Sequence, residues 1–324
     1  MKGMIAVQGG APAQSQPIQV SVRGRWIAAP SLRVNGQTLV VNGRLIRIAS
    51  LHDQDWIEEQ ITDPEACVRA LKSKASPVRA DIFAFAQREP DLVPRYQYPM
   101  ERRSIAVAKV GDFDEWFKSL PKGTRQNVRK AERCGVALKV RGFDMDVIQG
   151  ICDVQNETPI RQGRPFPHYG KTFEQARRDH GSFVDHCDFI CAYFENEFIG
   201  FLKLVYRGDV ASILQMLTKA SHYDKRTANA LLAKAAEVCS QKGIQHLTYG
   251  MFNYGNKGDS SLRQFKERHG FCEMLVPYYY VPVTTWGRFC VNTRLYRDWH
   301  DMLPQKWIAA ACDLRARWYE RRTR

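Results

Sequence analysis

The sequence predicts an α+β fold, a mixed and mostly antiparallel sheet flanked by helices. Three observations carry it. Between Asp188 and Phe271, the apolar runs CDFICAYF, FIGFLKLVY and VASILQMLT are joined by turns at Glu195-Asn196 and Arg207-Gly208-Asp209. Runs of Ile, Val, Leu, Phe and Tyr bounded by turn residues read as an antiparallel meander. The following segment RTANALLAKAAEVCSQKG places Ala228, Leu231, Leu232, Ala235 and Val238 at helical spacing, with Gly243 as its stop. HLTYGMF then reads as a strand, SLRQFKERHGF as a short helix ending at Gly270, and MLVPYYYVPV as a closing strand.

Upstream, residues 1–16 are small, polar and Gly/Pro-bearing, so they read as a disordered leader. Strands are expected in IQVSVRGRWIAA, TLVVNGRLIRIA, ADIFAFAQ and SIAVAKV, with a helix near PEACVRALKS. Asn42-Gly43 inside TLVVNGRLIRIA predicts a two-residue hairpin turn. PKGTRQNVRKAERCG is a basic helix closed by Gly135, followed by the strand VALKV. Residues 143 to 185 alternate helix and loop, with RQGRPFPHYG as a Pro/Gly-rich connection. From Trp286 the chain reads as a basic helical arm. The expected divisions are a leader over 1–16, a mixed subdomain over 17–111, a core over 112–285 and the arm over 286–324. No repeat is evident by eye, although the two halves, each strands plus helix, share a weak likeness.

The 324 residues can bury a sizeable core, and 44% apolar with 25% charged residues is ordinary for a globular chain. No apolar run approaches the roughly 18 residues that span a bilayer, and MIAV after Lys2 is too short for a signal peptide. A cytoplasmic protein is therefore expected. Nine cysteines without a CxxC argue against a disulfide framework. Cys187 and Cys191 stand near His180 and His186, but the spacing is poor for zinc, so buried thiols and no metal are expected. The formal charge of +14 attracts polyanions such as nucleic acid, anionic lipid or phosphorylated carriers, or else keeps the surface soluble.

That charge is concentrated. Between Lys118 and Arg141 eight Lys or Arg residues stand against the single carboxylate of Glu132. Arg125, Arg129 and Arg133 recur at i, i+4 and i+8 on one helix face, where each like-charge pair costs about 0.2–0.5 kcal/mol. Such a face either binds an anion, for which arginine's bidentate geometry suits phosphate, or is a solvated face that packs Val128 and Ala131 inward.

LPKGTRQNVRKAERCGV resembles the LP-x-x-x-R-x-x-x-R-K-A-x-x-x-G-V segment of the Fem-type peptidyltransferases and their single-chain relatives in the GNAT superfamily. SLRQFKERHGF resembles that family's L-x-x-F-K-x-x-F-G signature, with His269 in place of Phe. The likeness covers about residues 112 to 283. It implies a GNAT-like core preceded by a partial GNAT-like half, and acyl transfer to an amine or hydroxyl. The superfamily's Q/R-x-x-G-x-G/A loop for acetyl-CoA is absent, as it is in Fem-type enzymes, whose donor is aminoacyl-tRNA. No tightly bound cofactor is implied. The donor is left open among aminoacyl-tRNA, an acyl carrier protein and a long acyl-CoA.

By the same resemblance, Lys266 is the first catalytic candidate, placed to neutralise a developing oxyanion or terminal phosphate. Its other reading is a surface lysine paired with Glu267 or Glu273. Lys225, Arg226 and Thr227 open the helix that in GNAT folds carries the donor's phosphates, with Asp224 as the expected cap. Arg125, Arg129 and Arg133 extend that donor surface. In NETPIRQGRPFPHYGK, Glu157 and His168 are candidate general bases and Arg161, Arg164 and Tyr169 candidate acceptor ligands. In YGMFNYGNKGDSS, Tyr249, Asn253 and Tyr254 stand where a strand ends, the usual place for a ligand. A lone His or Glu in a loop is more often structural. The competing class is a non-catalytic RNA- or polyanion-binding protein on a degenerate transferase scaffold, and the Trp/Arg-rich arm allows peripheral membrane contact.

Overall fold

One run of elements, three antiparallel strands, a helix and a strand parallel to the third, occurs twice along the chain. A computed structural model describes residues 17–22, 25–52, 61, 63–87, 93–161, 163–253 and 260–297. The expected leader, Tyr254 with its neighbours Asn256 and Lys257, and the arm beyond Arg297 lie outside the described residues.

After a hairpin of β1 (Ile18–Val22) and β2 (Arg25–Ala29) come β3 (Ser31–Val34), β4 (Gln37–Asn42), β5 (Ile48–Leu51), helix α1 (Pro64–Lys72) and β6 (Ile82–Ala86). The chain continues through β7 (Met100–Lys109), α2 (Phe113–Ser119), α3 (Lys122–Arg133), β8 (Ala137–Arg141) and α4 (Met145–Gln155). The two-residue strands β9 (Ile160–Arg161) and β10 (Arg164–Pro165) precede α5 (Phe173–His180). The second run is β11 (Cys187–Phe194), β12 (Glu197–Arg207), β13 (Val210–Thr218), α6 (Thr227–Gln241) and β14 (His246–Thr248). Helix α7 (Ser261–Arg268), β15 (Cys272–Pro282) and α8 (Thr285–Asn292) follow.

Two units result. The described residues up to Glu101, with Pro277–Arg297, form the first, and Arg102–Val276 the second. Each closes its parallel pair with an antiparallel strand supplied by the segment that follows the other run. Strand β7 pairs with β14, and the end of β15 pairs with β6.

Turn chemistry sets the registers. Glu195 and Asn196 have φ of 49° and 69°, the left-handed pair that a two-residue hairpin requires. The predicted two-residue turn at Asn42-Gly43 is not formed. Asn42 pairs with Ile48 across the longer loop Gly43–Arg47. Arg47 explains the shift, because its backbone N–H and guanidinium all donate to the Asp81 carboxylate, at 2.9–3.0 Å. That grip brings Ile48–Leu51 beside β6, where Ala49, Ser50 and Leu51 are buried. The two-residue turn is instead at Asn35-Gly36, with φ of 48° and 81° and Val34 opposite Gln37.

In the second unit the sheet is covered on both faces, so its strands read as continuous apolar runs. Ile190 and Ala192 of β11 face the cluster built with α6, while Phe189 and Cys191 face the one built with α4. Burial raises the Cys191 thiol to about 12. Cys187 and Cys191 are free thiols, and among the described residues no cluster of His, Cys, Asp or Glu suits a metal ion.

Lys203 also points into the α4 face. Its Nζ donates to His180 O at 2.7 Å and Ser182 O at 2.6 Å, which satisfies carbonyls at the end of α5. Beside it, His180 is buried, and desolvation with the Lys203 charge lowers its imidazole to about 3. Burial likewise lowers His269, just past α7, to about 4.

Both histidines are therefore neutral in the fold and charge in the unfolded chain below about pH 6.5. Stability present above that pH falls as protons bind the unfolded state, by up to about 1.4 kcal/mol per pH unit for each histidine. Urea unfolding compared at neutral and mildly acidic pH should show this loss, and it should shrink in a His180→Gln/His269→Gln variant. An unchanged slope in that variant would remove these residues from the account.

Candidate functional site

The second unit's parallel pair is only three residues long: Val210, Ala211 and Ser212 lie beside His246, Leu247 and Thr248. Its last rung is reinforced by a buried hydrogen bond of 2.8 Å between the Ser212 and Thr248 hydroxyls. Beyond it the chains part. After β14 the chain turns to β7, with Tyr249 N–H on Ala106 O and Ala106 N–H on Gly250 O. Strand β13 runs on to Thr218 paired only with β12 among the described residues. The register with β12 slips at Leu214, where two residues oppose one, and such a bulge re-aims a strand. At about 3.3 Å per residue, the unaccompanied edge Ile213–Thr218 is roughly 17 Å long.

At the far end of that edge stands the start of α6. A 3-10 turn over Ala220–Lys225 leads in, and Arg226 is the helix cap with φ 60° and ψ 30°. Asp224 does not cap the helix, because the left-handed Arg226 turns the chain one step later and, among the described residues, no side chain bonds the first-turn N–H groups. Thr227, 2% exposed, has a buried Oγ1 with no partner among the described residues. The helix mouth thus has no side-chain cap among the described residues and no acid in its first turn to oppose its dipole. Lys225 lies over the Phe194 ring at 4.0 Å, and Arg226 is exposed.

Glu157 secures this approach. One carboxylate oxygen accepts from Ala220 N at 2.6 Å and from Arg161, the other from the Ser221 backbone and hydroxyl. Burial pushes its carboxyl up, but these donors and the Arg161 charge hold it below the ordinary range. Arg161 also donates to Thr218 O at 2.8 Å and Val154 O at 3.1 Å, with its guanidinium 4.6 Å from the Phe166 ring centre. It thus ties the end of β13 to α4. Arg164 stands opposite Arg161 on β10, and Tyr169 is exposed on the following loop. His168 is held below its usual range by burial and by Lys171, whose Nζ lies 2.9 Å from Nδ1 and also meets Asp179.

Lys266 lies at the other end of the edge. Its ammonium donates to Tyr249 O and Met251 O, both at 2.7 Å, and sits 4.6 Å from the Tyr249 ring centre. It is a buried amine holding the chain where β14 leaves β13, not a surface lysine paired with Glu267 or Glu273. Burial lowers it to about 8. Nearby, Asn253 bridges Glu273 at 2.8 Å and Arg263 at 3.1 Å.

No family model and no curated protein matches this chain. Solved structures do. FemX superposes with a TM-score of 0.55 at 11% identity over 86% of this chain and 91% of that one. The structure of L-PGS from Bacillus licheniformis gives 0.53 at 15% identity over 80% and 85%. A C-terminal domain from Agrobacterium fabrum, assigned to a lysylphosphatidylglycerol synthetase, gives 0.55 at 12% identity over 81% and 87%. The fold is GNAT-like and resembles those of FemX and L-PGS.

On this GNAT-like frame the candidate residues gather at the two ends of one open strand edge. Glu157, Arg161, Lys225, Arg226 and Thr227 mark the Thr218 end; Lys266, Tyr249 and Asn253 mark the Thr248 end. The arginine helix belongs to the same unit, where α3 packs on α6. Arg125 has an enclosed Nε without a partner among the described residues, Arg129 lies 5.9 Å from the Phe117 ring centre, and Arg133 is exposed. Sequence reasoning missed Ser212, Thr248 and Lys203. Two hydroxyls and a lysine inside otherwise apolar runs were the available signal.

Left-handed backbone at a non-glycine residue costs roughly 1 kcal/mol. Arg226→Gly should therefore stabilise the fold by about that amount in thermal or urea unfolding. A loss of stability would mean that the arginine side chain itself holds the turn.

Proposed function

We propose that this protein is an acyl- or aminoacyltransferase that moves an acyl group from a polyanionic donor to an amine or hydroxyl. The observation that carries the reading is the open edge of β13 between an uncapped helix mouth and a buried lysine. An extended thioester or ester arm lies along a strand edge by hydrogen bonding to its backbone, and roughly 17 Å suits such an arm better than a compact ligand. Phosphates at the arm's end meet the α6 N-terminus, Lys225, Arg226 and the Thr227 hydroxyl. Arg125, Arg129 and Arg133 supply the wider basic surface that a tRNA, carrier protein or long acyl-CoA presents its charges to. Among these donors the chemistry is shared. All three are found in the cytoplasm, where the free thiols of the chain also fit.

In the reaction, the acceptor nitrogen or oxygen attacks the donor carbonyl carbon and a new C–N or C–O bond forms. The carbonyl oxygen takes the negative charge, and collapse breaks the C–S or C–O bond to the carrier. The nucleophile's proton leaves with the thiol or hydroxyl product. Backbone N–H groups on the open edge and the positive charge of Lys266 stabilise the oxyanion, the term that weighs most in acyl transfer. Glu157 acts here as a positioning residue, since four donors occupy its oxygens. Tyr249 and Asn253, at the Lys266 end, are the acceptor ligands of this reading, while His168 stands ready for the acceptor's proton.

Lys266→Met should lower transfer by about 100-fold or more, the usual cost of removing an oxyanion donor. With Lys266 near pH 8, transfer that needs its charge should also decline above that pH. Circular dichroism should show a native spectrum for that variant, and Arg226→Ala, an exposed site, should weaken donor binding by about tenfold without loss of fold. Unchanged transfer in folded Lys266→Met sinks the assignment of that residue. No transfer by the parent with any of the three donor classes, together with retained RNA binding, favours the non-catalytic alternative.

A further inference from the structure

Two segments of the first unit, remote in sequence, hold apolar side chains in solvent beside arginines. On the loop Gly43–Arg47, Leu45 is 88% exposed. On α8, Trp286 and Phe289 are 44% and 51% exposed with their rings stacked at 5.5 Å. The segments are joined, because Trp286 Nε1 donates to Leu45 O at 3.1 Å. That bond satisfies the indole's one polar atom within the protein. Its carbon faces can then leave water without stranding a donor.

The helix presents this face because its opposite side is committed. Gly287, Cys290 and Val291 are buried, and a Cβ at Gly287 would fall 1.7 Å from Asp81 O. Asp81 in turn holds Arg47 at the end of the loop and accepts from Thr284 Oγ1 at the start of α8. Loop and helix are therefore pinned to one carboxylate, and their exposed side chains form a built face.

Its charge is one-sided. Arg44, Arg288 and Arg294 are exposed, and neither Gly43–Arg47 nor Thr285–Arg297 contains an Asp or Glu. Two copies of such a face meeting about a two-fold axis would set arginine against arginine with no carboxylate from these segments to pair them. An apolar tip ringed by arginines matches the boundary between anionic headgroups and acyl chains. We propose that this face docks on an anionic phospholipid surface, with Leu45, Trp286 and Phe289 entering the boundary and the arginines meeting lipid phosphates. The inference is independent of the transferase reading.

The full chain should co-sediment with vesicles of phosphatidylcholine mixed with phosphatidylglycerol about tenfold more strongly than with phosphatidylcholine alone, and added salt should erase the difference. A Leu45→Ser/Phe289→Ser variant, changed only at exposed positions, should bind the mixed vesicles about tenfold more weakly with an unchanged thermal midpoint. Arg288→Glu should remove the preference for anionic vesicles. Parent-like binding by the variants, or equal binding to both vesicle types, overturns the proposal. So does a parent dimer in light scattering that the double variant splits into monomers, since the face would then belong to a second copy.

Discussion

The hydroxyl pair of Ser212 and Thr248 closes the last rung of a three-residue parallel ladder, and the candidate site exists because the ladder ends there. Had β14 continued beside β13, the edge Ile213–Thr218 would be filled by backbone and no extended ligand could reach it. Three features keep the strands apart. The bulge at Leu214 turns β13, the bonds from Tyr249 and Gly250 to Ala106 draw the other chain toward β7, and Lys266 holds the carbonyls of Tyr249 and Met251. Burying an ammonium is costly unless well-placed acceptors offset it, and here two carbonyls at 2.7 Å do so.

The duplicated motif sharpens this point by contrast. In the first unit, β5 and β6 also make a three-residue parallel pair, and α1 stands where α6 stands in the second. Yet α1 is capped by the Asp63 carboxylate on Ala66 N, begins with Pro64 and carries Glu65 in its first turn. Its N-terminus is occupied and negatively dressed. Helix α6 has no side-chain cap, no acid in its first turn and an arginine at its mouth. Similar topology thus carries opposite electrostatics at the two helix N-termini, and only that of α6 is open to the anionic donor proposed above.

Much of this was legible in the chain. The meander, the turn at Glu195-Asn196, the stops at Gly135, Gly243 and Gly270, and the GNAT-like order follow from local patterns that burial on both faces reinforces. What sequence did not reveal is long-range. The five-residue loop at Gly43 depends on Asp81, distant in sequence, and local turn propensity favoured Asn42-Gly43 until that grip overrode it. The left-handed Arg226 was unreadable because arginine has no preference for that conformation. Lys266 was singled out by motif, but its role in holding the end of β14 appears only when Tyr249 and Met251 are brought to it. Glu157 read as a candidate general base, with a structural role as the alternative, and its oxygens are taken by Arg161 and by donors from the lead-in to α6.

The central claim is that the open edge of β13 and the mouth of α6 together hold the acyl donor. Hydrogen–deuterium exchange of the full chain, with and without a non-hydrolysable aminoacyl-RNA mimic, tests it most directly. The account predicts protection concentrated at Ile213–Thr218 and the first turn of α6, reproduced by long acyl-CoA if that donor is used instead. Donor binding that leaves both segments exchanging freely, while protecting only α3 or the first unit, would contradict it.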